Sequence, residues 1–193
     1  MKIKPLIICT FLIVPLGIAF YNYEKYLPTF TSSHQALSNE EIQEIIKTKP
    51  VTSIEVFKNQ RLLLLKSNQD VIRQYPIRLG FNPKGHKHFE NDGRTPEGIY
   101  SIDWRNSQSA YYKSLYISYP NAKDIAYAKQ HHQPTGGDIM IHGSVPKSLL
   151  SMPFSSTYMP HKDWTLGCIA VRNVDIDEIW QLVPNQTKII IYP

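Results

Sequence analysis

The sequence is poor in cysteine, glycine and charge, and each shortage removes a class of protein. Its two cysteines, Cys9 and Cys168, cannot build a disulfide framework or a four-thiolate zinc site. Its nine glycines follow no Gly-X-Y period, which excludes a collagen-like chain, and the lack of heptads or internal repeats excludes coiled coils and solenoids. Charged residues make up 19% of the chain and the net charge is +5, to which Lys2 and Lys4 of the N-terminal segment contribute. So mild an excess is not the footprint of a nucleic-acid binder, and no nucleic-acid partner is expected. Against these shortages stand 42% hydrophobic residues in 193, enough for one core and one domain.

Long apolar runs are confined to the N-terminus. Lys2 and Lys4 form a positive n-region, residues 6–16 an apolar stretch, and Gly17-Ile18-Ala19 offers the small residues a signal peptidase reads. Residues 5–21 also reach the lower length of a spanning helix, weakened by Pro15 and Gly17, so residues 1–23 read as a signal peptide or a membrane anchor. Ile8 before Cys9 does not match a lipoprotein acceptor. The expectation is export to the periplasm or the outer face of the cytoplasmic membrane, with membrane contact only through this segment. Residues 24–50 read as a tether and a short helix, with a capping box at Ser38 and Glu41 and a staple of Leu37 on Ile42.

The remainder, 51–193, reads as a single α+β domain, mainly β, built on an antiparallel sheet with short helices. Strand patterns at 51–57, 61–65 and 71–79 form a meander, and the Gly-, Pro- and Asn-rich stretch 80–98 is a long loop. Further strands are expected at 99–104, 115–119, 138–141 and 187–192. A helical turn is expected at 124–130, and a helix at 174–183 with Asn173 as its N-cap.

Cys168 is the lone cysteine once the leader is set aside. A single thiol in an oxidising compartment points to use of the thiolate, the alternative being a small buried hydrophobe. Gly167 lets a carbonyl substrate approach the backbone, the amides of Gly167 and Cys168 are natural oxyanion donors, and Thr165 can support the turn. Among seven histidines, His142 ends an apolar strand and is followed by Gly143, which suits a base; a hydrogen-bonded core histidine is the alternative.

Ile141-His142-Gly143 followed by Thr165-Leu166-Gly167-Cys168-Ile169 resembles the signature of the YkuD-type L,D-transpeptidase catalytic domain. The upstream hairpin ending in Gly80, and Thr95-Pro96-Glu97-Gly98, agree in order, so the resemblance covers about residues 51–192. It implies a cysteine acyltransferase on peptidoglycan stem peptides. Cys168 would be the nucleophile, His142 a base oriented by a main-chain carbonyl, and the product a stem held as a thioester until an amine collects it. A lipoprotein amine is a further implied acceptor or leaving group. No cofactor and no metal are implied. Gly143, Gly167, Thr165 and Arg172 are the expected oxyanion and substrate-binding residues. The arginine that many members carry two residues after the cysteine is Ala170 here, and Arg172 lies four after it. Leu166 also replaces a common second histidine. These departures leave open transfer, an L,D-specific hydrolase acting as carboxypeptidase or amidase, and a non-catalytic wall-binding module.

Two surface features complete the reading. His86-Lys87-His88 and His131-His132 lack a completing carboxylate or cysteine at ligand spacing and read as solvated loop. Residues 144–164, with Pro146, Pro153 and Pro160 and the aromatics Phe154, Tyr158 and Trp164, are expected to be mostly irregular and to cover the cleft between the two catalytic motifs.

Overall fold

Ile54, Val56, Leu63 and Leu65 are fully buried and alternate with partly exposed neighbours, the period of two that a strand with one buried face requires. The computed structural model describes residues 35–193; the leader and the start of the tether lie outside the described residues. The strands are β1 (Ser53–Phe57), β2 (Leu62–Ser67), β3 (Asp70–Pro76), β4 (Gly98–Ser109), β5 (Tyr112–Ile117), β6 (Met140–Gly143), β7 (Ile169–Val171) and β8 (Lys188–Tyr192). The helices are α1 (Asn39–Thr48), α2 (Ala122–Gln130) and α3 (Asn173–Leu182).

The strands form one sheet in the order β3-β2-β1-β8-β4-β5-β6-β7. The domain is mainly β with short helices, as expected, but the sheet is mixed. Five neighbouring pairs are antiparallel, whereas β1–β8 and β6–β7 are parallel. A parallel pair needs a long crossover, and both have one: 144–168 joins β6 to β7, and nearly the whole domain separates β1 from β8. Local pattern reveals hairpins, and neither of these pairs is a hairpin.

Beyond β3 the chain runs on through 77–80 and meets the far edge of the sheet. Arg78 and Ala170 exchange two backbone hydrogen bonds of 2.8 Å, and Gly80 bridges Thr165. The stretch therefore joins the two ends of the strand order. Ile77, Leu79, Ile141, Ile169 and Val171 enter one core cluster with Ile176, Ile179 and Val183 of α3 and its C-terminal boundary.

The capping box of α1 is present: Ser38 Oγ accepts the Glu41 N–H (3.2 Å) and Glu41 Oε2 accepts the Ser38 N–H (2.7 Å). Ahead of it, the Leu37 N–H donates to Glu178 Oε1 (2.8 Å). Glu178, on α3 and nearly buried, also accepts from Arg73 (2.8–3.0 Å) and from the Tyr75 hydroxyl (3.0 Å). One carboxylate thus holds the entry to α1, strand β3 and helix α3 together. Removing it takes the shared carboxylate from the largely buried Arg73 guanidinium and the Tyr75 hydroxyl, leaving Arg73 its bond to the Gln35 carbonyl (3.2 Å). Glu178→Ala should cost about 3–5 kcal/mol, read as a shift of the urea midpoint at constant slope, with Glu178→Gln costing less. A loss under about 1 kcal/mol for the alanine variant would show that this network does not hold the elements together.

Candidate active site

His142 lies on β6 and is 5% exposed. Its Nδ1 bonds the Gly143 carbonyl at 2.7 Å, and since a carbonyl can only accept, the proton sits on Nδ1 and Nε2 is left as the base. A main-chain carbonyl, not an acid, orients the ring. Tyr111 and Trp164 pack their rings against it, with centroids 5.1 and 5.7 Å away. Burial drives its pKa down to about 4, against the opposing pull of the Gly143 carbonyl, so the imidazole is neutral at neutral pH.

Parallel pairing sets His142 opposite Ala170, which places Cys168, one residue before β7, beside the strand that carries the imidazole. The thiol donates to the Asp138 carbonyl (3.4 Å). Burial pushes its pKa up, against the pull of the Met140 N–H and the Lys87 ammonium. Among the described residues no hydrogen bond joins Sγ to the imidazole. The resting pair is a neutral thiol and a neutral base.

The turn before Cys168 is built by Thr165, whose Oγ1 donates to the Cys168 carbonyl (2.7 Å) and accepts the Gly167 N–H (3.1 Å). Of the two amides expected at an oxyanion, that of Gly167 is therefore held by Thr165 in this structure. The Cys168 N–H is unbonded among the described residues. Gly167 is needed for shape, because its φ is +138° and a Cβ there would lie 2.6 Å from the Arg94 carbonyl oxygen. The loop 80–98 therefore presses directly on the turn that precedes Cys168. Asp92 orders that loop by accepting the N–H groups of His88, Phe89 and Arg94 and the Lys87 ammonium at 2.8–3.1 Å.

Two other residues expected at the substrate, Gly143 and Arg172, have partners within the fold. The Gly143 N–H donates to the Tyr111 carbonyl (3.2 Å), and a Cβ at Gly143 would lie 2.4 Å from Asn173 Oδ1, so this glycine serves close packing. Arg172 is 4% exposed and grips Asp175 with two bonds of 2.7 and 2.6 Å at the start of α3. Arg172, not Asn173, is the N-cap residue; the Asn173 side chain instead accepts the Val145 N–H (3.2 Å).

Residues 144–164 are irregular apart from a 3-10 turn, Lys147–Leu149, begun by Pro146. With Tyr111 they wall a cleft of about 470 Å³ lined by Val145, Leu149, Met152, Tyr158 and Trp164 among others. Its lining is apolar, and Trp164 Nε1 is buried with no partner among the described residues. Tyr111 and the Asp138 carbonyl carry no sequence signal of their own, because register alone brings them to the site. The loop histidines go elsewhere: His86 bonds Asp124 (3.0 Å), and His88, Tyr127 and His131 stack at 4.3 Å.

A family model described as the L,D-transpeptidase catalytic domain, YkuD, matches residues 52–191. The chain is 30% identical over 177 residues to the Escherichia coli K12 protein named "Putative L,D-transpeptidase YafK", covering 84% of this chain and 61% of that protein's length. Bdellovibrio bacteriovorus Bd1075 is similar in structure, with a TM-score of 0.50 and 27% identity over 86% of this chain and 53% of that one. The helical cell shape determining protein Pgp2 of Campylobacter jejuni, as its K307A mutant, shares the fold, with a TM-score of 0.55 and 21% identity over 78% of this chain and 52% of that one.

The depressed His142 pKa carries a stability consequence. Above about pH 6.5 the imidazole is neutral in both folded and unfolded chains, and nothing is lost. As pH falls from there to about 4, the unfolded chain binds a proton the folded one does not, so stability declines. Between pH 7 and 4.5 the wild type should lose about 2 kcal/mol more than His142→Gln, measured by urea unfolding at both pH values. Equal losses would show that His142 is not held neutral by the fold.

Proposed function

Since the chain belongs to the L,D-transpeptidase catalytic-domain family, we propose that it is a cysteine acyltransferase acting on peptidoglycan stem peptides outside the cytoplasm. The observation that carries this reading is the pairing of β6 with β7, which sets a base with a free Nε2 beside the only thiol among the described residues. Nε2 takes the thiol proton as Sγ attacks the carbonyl at the L-centre of the stem's diamino acid. The Cys168 N–H donates to the oxyanion, and collapse expels the terminal D-alanine with the proton returned from His142. The thioester then waits for an amine. A second stem gives a cross-link, a lipoprotein lysine an anchored protein, and water a trimmed stem. An apolar cover of residues 144–164 beside His142 favours an amine, because it lowers access of water to the thioester.

The leader supports export, and the wall is then the polymer within reach. The chain spans 61% of the length of the curated relative YafK, so its acceptor is read from its own site.

Full-length chain incubated with isolated sacculi should yield new cross-links, released lipoprotein or trimmed stems, separable by mass spectrometry. Cys168→Ala should abolish the acyl-enzyme adduct. His142→Ala should slow its formation by about 10²–10⁴-fold. Normal adduct formation in either variant refutes the roles assigned. Shortening 148–159 to a Gly-Ser linker should shift products toward hydrolysis while Cys168 still acylates, and an unchanged product ratio removes the role given to the cover.

A further inference from the structure

Cross-strand register sets a row of side chains on the face that carries the thiol. Tyr116 of β5 lies opposite Met140 of β6, and one step before the Ile141–Ile169 pair Met140 stands beside Cys168, whose thiol feels the Met140 N–H. The chain neighbours Leu115, Ile117, Ile139, Ile141 and Ile169 all enter the core, so Tyr116, Met140 and Cys168 face the other way. Beyond Tyr116, β4 carries an extra residue. Ile102 pairs with Ile117 and Arg105 with Leu115, which leaves Asp103 and Trp104 against Tyr116 alone. A bulge of this kind re-aims a side chain. Arg105 turns to the helix side, where it bonds the Trp180 carbonyl (2.7 Å), whereas the Trp104 ring stacks on that of Tyr116 with centroids 3.8 Å apart and planes 16° from parallel.

Trp104 is 49% exposed although Tyr116 covers one face of its indole, so the other face is presented to solvent. Asp138, also exposed, stands nearby: burial first, and then the Asp138 carboxylate and Cys168, push the pKa of the Tyr116 phenol up. That carboxylate accepts no hydrogen bond among the described residues. A flat aromatic face beside a free carboxylate matches a sugar ring, which offers C–H bonds on one face and hydroxyl and amide donors at its rim. The spacing agrees. Three strand steps of about 4.8 Å put the Trp104 backbone about 14 Å from that of Cys168. The diamino acid is the third residue of a stem from its sugar, and three extended residues with their linking group cover about 10–14 Å.

On the reading of the active site given above, we infer that Trp104, stacked on Tyr116, is the platform for the sugar that bears the acyl-donor stem, with the Asp138 carboxylate holding the polar rim of that sugar. The chain then selects stems still attached to glycan over free peptides.

The test compares a disaccharide-tetrapeptide with the same tetrapeptide lacking its sugars. Binding is measured by calorimetry with full-length chain carrying Cys168→Ala, and acylation with Cys168 intact. The sugar-bearing donor should bind about tenfold more tightly than the bare peptide. The ratio should collapse to within about twofold when Trp104→Ala is added, and survive in part with Trp104→Phe. A folded Trp104→Ala variant that keeps the full ratio overturns the platform. If that variant does not fold, Trp104→Leu, apolar but without a ring, decides by the same criterion. Wild-type Trp104 that binds both donors equally, with acylation by both at equal rates, also overturns the platform while leaving the acyltransferase reading intact. Conversely, a ratio that is lost in Trp104→Ala, with no acylation by either donor, supports the platform and removes the acyltransferase reading.

Discussion

The site depends on one stretch of register: β7 lies parallel to β6 on one side and is bridged to residues 77–80 on the other. β7 is only three residues long, too short to fix itself by its own ladder. Held from both sides, Ile169 and Val171 turn into the core, which sends Cys168 and Ala170 to the opposite face beside His142. A slip of one residue would reverse this and bury the thiol under the apolar cluster. The two backbone bonds of 2.8 Å between Arg78 and Ala170 therefore position the Cys168 thiol as surely as its own neighbours do.

Close backbone packing fixes the same seam from above. A Cβ at Gly80 would lie 2.1 Å from the Gly93 carbonyl oxygen, and one at Gly167 would lie 2.6 Å from that of Arg94. Three separate segments, the end of the β3 extension, the loop 80–98 and the catalytic turn, thus meet with no side chain between two of them at each contact. Asp92 and Lys58 make that meeting rigid. The first gathers the loop's own amides, and the second, nearly fully buried, reaches the Gly85 and Thr95 carbonyls and the Glu97 carboxylate at 2.6–3.0 Å. The long loop that composition marks as irregular is a structural wall of the site.

The sequence made some of this legible and not the rest, for physical reasons. Helix α1 is readable because its capping box is local, and the β1–β3 meander because alternation and turns lie within 25 residues. The parallel pairs are not readable, since no local pattern names a partner more than 20 residues away. Thr165 bracing its own turn follows from its chemistry, while the loss of the Gly167 amide to that same hydroxyl is a matter of geometry within the turn. Arg172 illustrates the limit most clearly. Its place four residues after the thiol suggests a substrate contact, yet Asp175, three residues further on, captures it on the first turn of α3.

The electrostatics of the resting pair bear on how the proposed reaction begins. Desolvation is the leading influence on both groups, raising the thiol and lowering the imidazole, and it favours the neutral forms. Of the lesser influences, the Met140 N–H and Lys87 favour a thiolate and the nearby Asp138 carboxylate opposes it, while the Gly143 carbonyl favours an imidazolium. Groups that would stabilise the charged pair are therefore already in place, and the cost of forming two charges in a dry site is the main influence holding the proton on sulfur. Attack on a carbonyl lowers that cost, because the charge leaving sulfur passes to an oxygen that can accept the Cys168 N–H as it forms. Proton transfer and attack are thus coupled. A thiol kept neutral until a carbonyl arrives is also less open to oxidation.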